Sequence, residues 1–98
     1  MHEDWNRAEI EAVGNAYLWM LGEQIAGRPY VKADAVKHLR YGALHRRTAG
    51  SVERKLSNIA AILREAGAPT VRGYRAQSHV QAALRSHMLK LAQRRGLA

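Results

Sequence analysis

Residues Tyr41–Leu63 have the sequence YGALHRRTAGSVERKLSNIAAIL, and they determine how the rest of the chain is interpreted. Apolar residues follow one another there at steps of four, three and four positions: Val52, Leu56, Ile59 and Leu63. This spacing places them on one face of an α-helix, so the stretch predicts an amphipathic helix packed on a core. Thr48 or Ser51 is the expected N-cap, because a hydroxyl oxygen can accept from a first-turn amide.

Three further helices are predicted around this one. The first should run for about 20 residues, from an N-cap at Asp4 to Gly27. The second is expected over Lys32–Leu44, and a capping box formed by Ser78 and Gln81 should start the last.

Length and composition indicate one domain. The 98 residues, 47% of them hydrophobic, can form one core but not two. We therefore expect an all-α fold over residues 1–98, a compact four-helix domain containing a helix-turn-helix-like unit. The absence of Cys excludes disulfides. No apolar run approaches the roughly 20 residues of a membrane helix and no signal peptide is evident, so we expect a cytoplasmic protein without a membrane partner.

Charge is divided unevenly along the chain. The net charge is +8; residues 1–27 contribute −4 and residues 28–98 contribute +12. A basic two-thirds beside an acidic first helix is typical of proteins that bind polyanions. The alternative is a basic surface with no specific partner.

Catalytic motifs are missing. The five histidines have no metal-binding spacing, there is no Cys to complete a zinc site, and no glycine-rich loop follows a predicted strand. We expect no enzyme activity, no catalytic or metal-binding residues and no cofactor.

Cations at the start of the third helix predict phosphate binding. His45, Arg46 and Arg47 precede it, and the amides of its first turn point towards any anion held there. Gly50 has no side chain, so a phosphate could approach closely. The predicted phosphate-binding residues are His45, Arg46, Arg47, Thr48, Gly50, Ser51, Lys55, Arg72 and Arg75. The alternative is an ordinary capped helix start, with Arg47 paired to Glu53 or another acid.

The outward face of the same helix supplies candidate base-reading residues, Arg54, Ser57 and Asn58. Arginine can recognise guanine and asparagine can recognise adenine, while Ala61 would let the helix approach DNA closely. A short helix, a turn and a second helix are similar to a helix-turn-helix, whose second helix enters a DNA groove. Double-stranded DNA is therefore the predicted partner. The alternative is a solvated helix face, with Asn58 bonded to a neighbouring loop.

The loop after the third helix carries a second basic group around an aromatic residue. Arg72 and Arg75 could contact a sugar-phosphate backbone, and Tyr74 could stack on a base. The alternative, which we favour, is that Tyr74 packs against the helices. Trp5 is likewise expected in the core.

A longer-range order of residues covers nearly the whole chain. It comprises the run GSVERKLSNIAAIL at 50–63, preceded by Trp5 and Tyr17 and followed by Gly73-Tyr74. This order resembles the small helical module at the N-terminus of some bacterial HNH-endonuclease and related restriction-like proteins, and more loosely the Myb/SANT and trihelix modules. The resemblance implies a DNA-associated unit that helps a restriction-type endonuclease bind or select its target. It supplies no catalytic residue, because the HNH motif is absent, and any nuclease activity would belong to another domain.

A protein–protein interaction or dimerisation module is the alternative function. The acidic first helix, or a second apolar side that includes Leu18, Trp19 and Ile25, could dock a partner nuclease domain or a second copy. Trp19 lies off the main apolar stripe, and an exposed tryptophan is a common interface anchor.

Overall fold

The computed structural model describes residues 4–97, so His2 and Glu3, which entered the histidine and charge counts, lie outside the described residues. Four α-helices follow one another along the chain: α1 (Arg7–Ala26), α2 (Lys32–Tyr41), α3 (Ala49–Glu65) and α4 (Ala82–Arg94). No strand occurs between residues 4 and 97, and the predicted all-α four-helix fold is confirmed. None of the helices in this range is long and apolar enough to cross a membrane.

The N-cap of helix α1 lies two residues after the predicted cap at Asp4. Asn6 is the N-cap: its side chain accepts from the Glu9 amide, and the Glu9 carboxylate accepts from the Asn6 amide, both at 2.9 Å. This reciprocal capping box satisfies two amides at once, which explains why Asn6 rather than Asp4 starts the helix. The predicted end is confirmed, since Gly27 adopts a left-handed φ of 73°.

Helix α3 is the axis of the core, and α1, α2 and α4 all pack against it. Thr48 is its N-cap and accepts from the Ser51 amide at 3.1 Å. The predicted apolar stripe is fully buried: Val52, Leu56, Ile59 and Leu63. Every residue from 58 to 63 is buried, so this part of α3 has no solvent-facing side, and after it only the last two residues of the helix, Arg64 and Glu65, are exposed.

Helix α2 ends at Tyr41 rather than at the predicted Leu44. Gly42 leaves the helical conformation with φ −114° and ψ −122°, and the Leu44 amide returns to the Leu39 carbonyl at 3.0 Å. Residues 42–48 then connect α2 to α3. This connection is longer than the turn of about three or four residues in a typical helix-turn-helix, and that unit stays a prediction.

The predicted capping box of α4 is wrong. Gln81 is the N-cap, but its side chain makes no capping hydrogen bond. The side-chain nitrogen of Gln81 instead donates to the Trp5 carbonyl at 3.0 Å, and its side-chain oxygen accepts from the backbone amide of Trp5 at 3.2 Å. These long-range bonds occupy both ends of the Gln81 amide and hold the segment before α1 against the start of α4.

The loop between α3 and α4 is fixed from inside the protein. The hydroxyl of Tyr17 accepts from the Val71 amide at 2.8 Å, and burial raises the pKa of Tyr17 to about 12. The Tyr74 ring lies 6.1 Å from that of Tyr17, measured between centroids. The prediction that Tyr74 packs against the helices is therefore confirmed.

Candidate nucleic-acid interface

Two surface hollows flank the first turn of α3. The first, of about 570 Å³, is called the entrance groove here; it is lined by Asp4, Trp5, Arg47, Ser51, Arg54, Lys55, Asn58 and residues 77–81. The second, of about 470 Å³, is called the α2 hollow; it is lined by Ala33, Val36, Lys37, Arg40, Tyr41, Ala49 and Glu53. Each is lined by at least two cations and by one carboxylate. Both sides of the helix start are therefore basic.

The first turn of α3 leaves two amides available to an anion. The hydroxyls of Thr48 and Ser51 are both used in the cap, because Ser51 also donates to the Thr48 carbonyl at 3.0 Å. Within residues 4–97 no group accepts from the amides of Ala49 and Gly50. Gly50 is exposed, and a Cβ built there would meet nothing within 4 Å.

Arg47 has a structural role that the phosphate-binding prediction missed. It donates to both carboxylate oxygens of Glu9, at 2.7 and 2.8 Å, and its guanidinium lies 5.1 Å from the centre of the Trp5 ring. The side chains of Arg47 and Glu9 are only 15% and 7% exposed. This matches the alternative in which Arg47 is paired to an acid, although the acid is Glu9 and not Glu53.

The Glu9 carboxylate makes folding stability depend on pH. Its hydrogen bonds from Arg47 lower the pKa of Glu9 in the folded protein, against the opposing effect of burial. A lowered folded-state pKa stabilises the fold above the unfolded-state pKa of about 4.3, and this stability is lost as pH falls through the folded value. We therefore expect wild type to be more stable than Glu9→Gln at pH 7, with the gap closing below about pH 4. Urea unfolding across this range measures the gap, and a gap that is constant with pH would contradict the role of Glu9.

Lys55 is also partly turned inward. Its ammonium donates to the Gln81 side chain at 3.2 Å and lies 5.3 Å from the centre of the Trp5 ring. Burial lowers the pKa of Lys55. Trp5 is 5% exposed, as predicted for a core residue, and contacts Lys55 and Arg47 at the edge of the entrance groove.

Two residues proposed to face DNA are buried. Asn58 is 5% exposed, and its amide donates to the carbonyls of Gln77 and Ser78 at 2.7 and 3.4 Å. Ala61 is 6% exposed. In this structure Asn58 therefore holds a loop, as the alternative supposed, and Ala61 gives no route for close approach.

The remaining candidates at the helix start are more accessible. His45, Arg46 and Arg54 are exposed, and Ser57 is half-buried. The His45 ring nitrogen Nδ1 lies 3.1 Å from the Gly42 carbonyl, a contact that can orient the imidazole. Of the three proposed base-reading residues, only Arg54 is both exposed and in the lining of the entrance groove.

Arg72 and Arg75 line neither hollow. The backbone of Arg72 bonds to Gln24, near the end of α1, and to Lys32, at the start of α2, at 2.8 and 3.1 Å. Both arginine side chains are exposed, but the structure does not join them to the cations at the α3 start.

Three residues near the site were not singled out as candidates from the sequence. Lys37 and Arg40 of α2 line the α2 hollow, and Arg40 also donates to the Arg47 carbonyl at 2.9 Å. Their position on the polar side of α2 was the available signal. His79 lines the entrance groove, and its backbone has a left-handed φ of 64°. No pattern in the neighbouring sequence predicts this conformation.

No family model, curated protein or solved structure matches this chain. The likeness to the helical module of HNH-endonuclease proteins therefore stays a prediction based on sequence motifs. Among residues 4–97, no group of three His, Cys, Asp or Glu residues could hold a metal ion. The fold and the surface define a small all-α domain with a basic helix start.

Proposed function

We propose that this chain is a non-catalytic module that binds double-stranded DNA through the first turn of α3 and the two hollows beside it. The observation that carries the proposal is the paired basic lining, with Lys37 and Arg40 on one side and Arg54 and Lys55 on the other. Arg47 also lines the entrance groove, but its charge is paired with Glu9. The carboxylates in the two linings are Asp4 and Glu53, so the four other cations leave an excess of positive charge.

Helix geometry adds to the effect of the cations. The N-terminus of a helix carries about half a positive elementary charge, and its unpaired amides can donate to phosphate oxygens. Because residues 58–63 of α3 are buried, DNA would meet the helix at its N-terminal end rather than along its length. This agrees with recognition helices that contact base edges through their N-terminal residues.

Binding of this kind should depend strongly on salt. If four cations reach phosphates, the logarithm of the affinity should fall with a slope of about −3.6 against the logarithm of salt concentration. Affinity for a duplex should then fall about 100-fold between about 50 and 200 mM salt. Fluorescence anisotropy with a labelled duplex measures this slope. No binding at low salt, or binding independent of salt, would contradict the proposal, as would a preference for double-stranded RNA or single strands over the DNA duplex.

Substitution of Gly50 by glutamate tests the site itself. The open space at Gly50 accepts a side chain, and both the loss of a helical glycine and a carboxylate in the first turn favour the fold. The same carboxylate would repel a phosphate held by the first-turn amides. We expect DNA affinity about 10-fold or more lower, with stability unchanged or increased.

Gly22→Glu is the matched control. Gly22 is also an exposed helical glycine with nothing within 4 Å of an added Cβ, and the change in charge is the same. It lies about 20 Å along α1 from Glu9, which pairs with Arg47 next to the α3 start. Equal losses of affinity in both variants would indicate a general charge effect and would contradict a site at Gly50.

A second candidate function is a protein-interaction module. Trp19 favours it, because this side chain is 54% exposed. The two functions use different surfaces of the protein and are compatible. The association with a restriction-type endonuclease is supported only by the sequence resemblance, and affinity for a separately purified nuclease domain of that class would test it.

A further inference from the structure

A groove between α1 and α2 differs from the two basic hollows. It has a volume of about 790 Å³, and its lining contains no lysine or arginine. Alanines from both helices line it, Ala12 and Ala16 from α1 and Ala35 from α2. Small side chains leave room for a large side chain from outside.

The same groove carries a fixed and exposed aromatic residue. Trp19 is 54% exposed and contacts Tyr30 edge to face, with ring centroids 6.5 Å apart at an angle of 75°. Val31, beside them in the lining, is 57% exposed. A large apolar surface held in water is unfavourable, and a rigid tryptophan loses little entropy when a partner covers it.

We propose that a second copy of this chain covers the groove in a two-fold symmetric dimer. Such a contact uses the same patch on both subunits, so the patch must contain both a feature that projects and a space that receives it. Trp19 supplies the first, and the space along Ala12, Ala16 and Ala35 supplies the second.

If two copies of this chain meet, charge favours contact at this face. Two chains of net charge +8 repel each other, and they meet with least repulsion where no lysine or arginine is present. The ionisable groups in the lining are an acid, Asp34, and an imidazole, His38, together with the Tyr30 hydroxyl. Asp34 can accept a hydrogen bond from His38 of another copy, so the polar groups of the patch can pair with those of a second copy. The cations beside α3 remain available to DNA in this arrangement.

Sedimentation velocity without nucleic acid tests the dimer. Over a range from about 10 µM to about 1 mM, the mean mass of wild type should rise from the 11.0 kDa of one chain towards twice that value. Trp19→Ala should remain monomeric or dimerise at least about 10-fold more weakly, because it removes the anchor from both subunits. A strict monomer across the whole range, or a Trp19→Ala variant that dimerises like wild type, would overturn the proposal.

Tyr41→Ala is the control for loss of an exposed aromatic residue. Tyr41 is 81% exposed but lines the α2 hollow and not the α1–α2 groove, so this variant should dimerise like wild type. Thermal unfolding of both variants at low concentration confirms that each is folded. Loss of dimerisation in Tyr41→Ala alone would place the interface elsewhere and overturn the proposal.

The salt dependence separates this dimer from a charge-driven contact. Salt screens the repulsion between two basic chains and leaves apolar burial intact, so dimerisation should strengthen as salt increases. A head-to-tail contact between the acidic α1 of one copy and the basic surface of another would weaken instead. Weakening by salt would therefore contradict the symmetric dimer. DNA binding should show the opposite trend in a separate titration, so either proposal can fail without the other.

Discussion

Arg47→Ala should lower the free energy of unfolding by about 3–5 kcal/mol, because it leaves the Glu9 carboxylate buried without its cation. Both oxygens of Glu9 accept from Arg47, and the two side chains are nearly buried in the folded protein. The substitution also removes the guanidinium that covers the Trp5 ring. Thermal or urea unfolding measures the loss, and we expect the melting temperature to fall by more than about 12 °C.

Arg7→Ala is the matched control for this substitution. Arg7 also pairs with a glutamate of α1, Glu11, but the two side chains are 91% and 47% exposed. An exposed pair four residues apart on a helix contributes only about 0.3–0.5 kcal/mol. Equal effects from Arg7→Ala and Arg47→Ala would show that the Glu9–Arg47 pair is open to solvent and would contradict its structural role.

The double variant Glu9→Leu with Arg47→Met tests whether the loss of stability comes from leaving the buried Glu9 charge without its partner. Replacing both members of a buried ion pair with apolar side chains of similar size is often neutral, whereas removing one member is not. We expect the double variant to recover part of the stability that Arg47→Ala loses, since Glu9→Leu also removes the acceptor of the Asn6 amide in the capping box. If Arg47→Ala binds DNA weakly while the double variant does not, the weak binding results from unfolding rather than from a lost phosphate contact.

The core was predictable where the sequence repeats at helical spacing. Val52, Leu56, Ile59 and Leu63 are all fully buried, and Gly27 ends α1 as expected. Helix starts were harder to predict, because several polar residues compete for one N-cap. Asn6 and Glu9 have the three-residue spacing of a capping box and form one, whereas the prediction from the sequence places the cap at Asp4.

The candidate site was only partly predictable, because contacts between distant residues determine which cations are available. The sequence predicts Arg47 and Lys55 as phosphate ligands, yet Glu9, Trp5 and Gln81 contact their charged groups. Those partners are 26 to 50 residues away in sequence, and helical spacing carries no information about them. The exposed position of Trp19 was predictable, because it follows from its place off the α1 stripe.

The burial of the outward face of α3 also could not be predicted from helical spacing, and Ala61→Glu tests whether this face is buried. Ala61 lies about half a turn round the helix from the stripe that begins at Val52, so periodicity alone places it in solvent. The structure buries it at 6%, and the nearby amide of Asn58 bonds to the loop at Gln77. The segment before α4 bonds to α3 at Ser57 and Asn58, and a pattern within the helix cannot reveal such a contact.

We expect Ala61→Glu to lower the free energy of unfolding by at least about 3 kcal/mol, since an unpaired carboxylate would be buried in a site sized for a methyl group. Ala83→Glu, at an exposed alanine in the first turn of α4, should change it by no more than about 0.5 kcal/mol. If Ala61→Glu does not fold, Ala61→Ser should still show a loss of about 1–2 kcal/mol. Equal stability of Ala61→Glu and Ala83→Glu would mean that this face of α3 is open to solvent. The whole length of the helix would then be accessible to DNA, and the end-on contact that we propose would no longer be required.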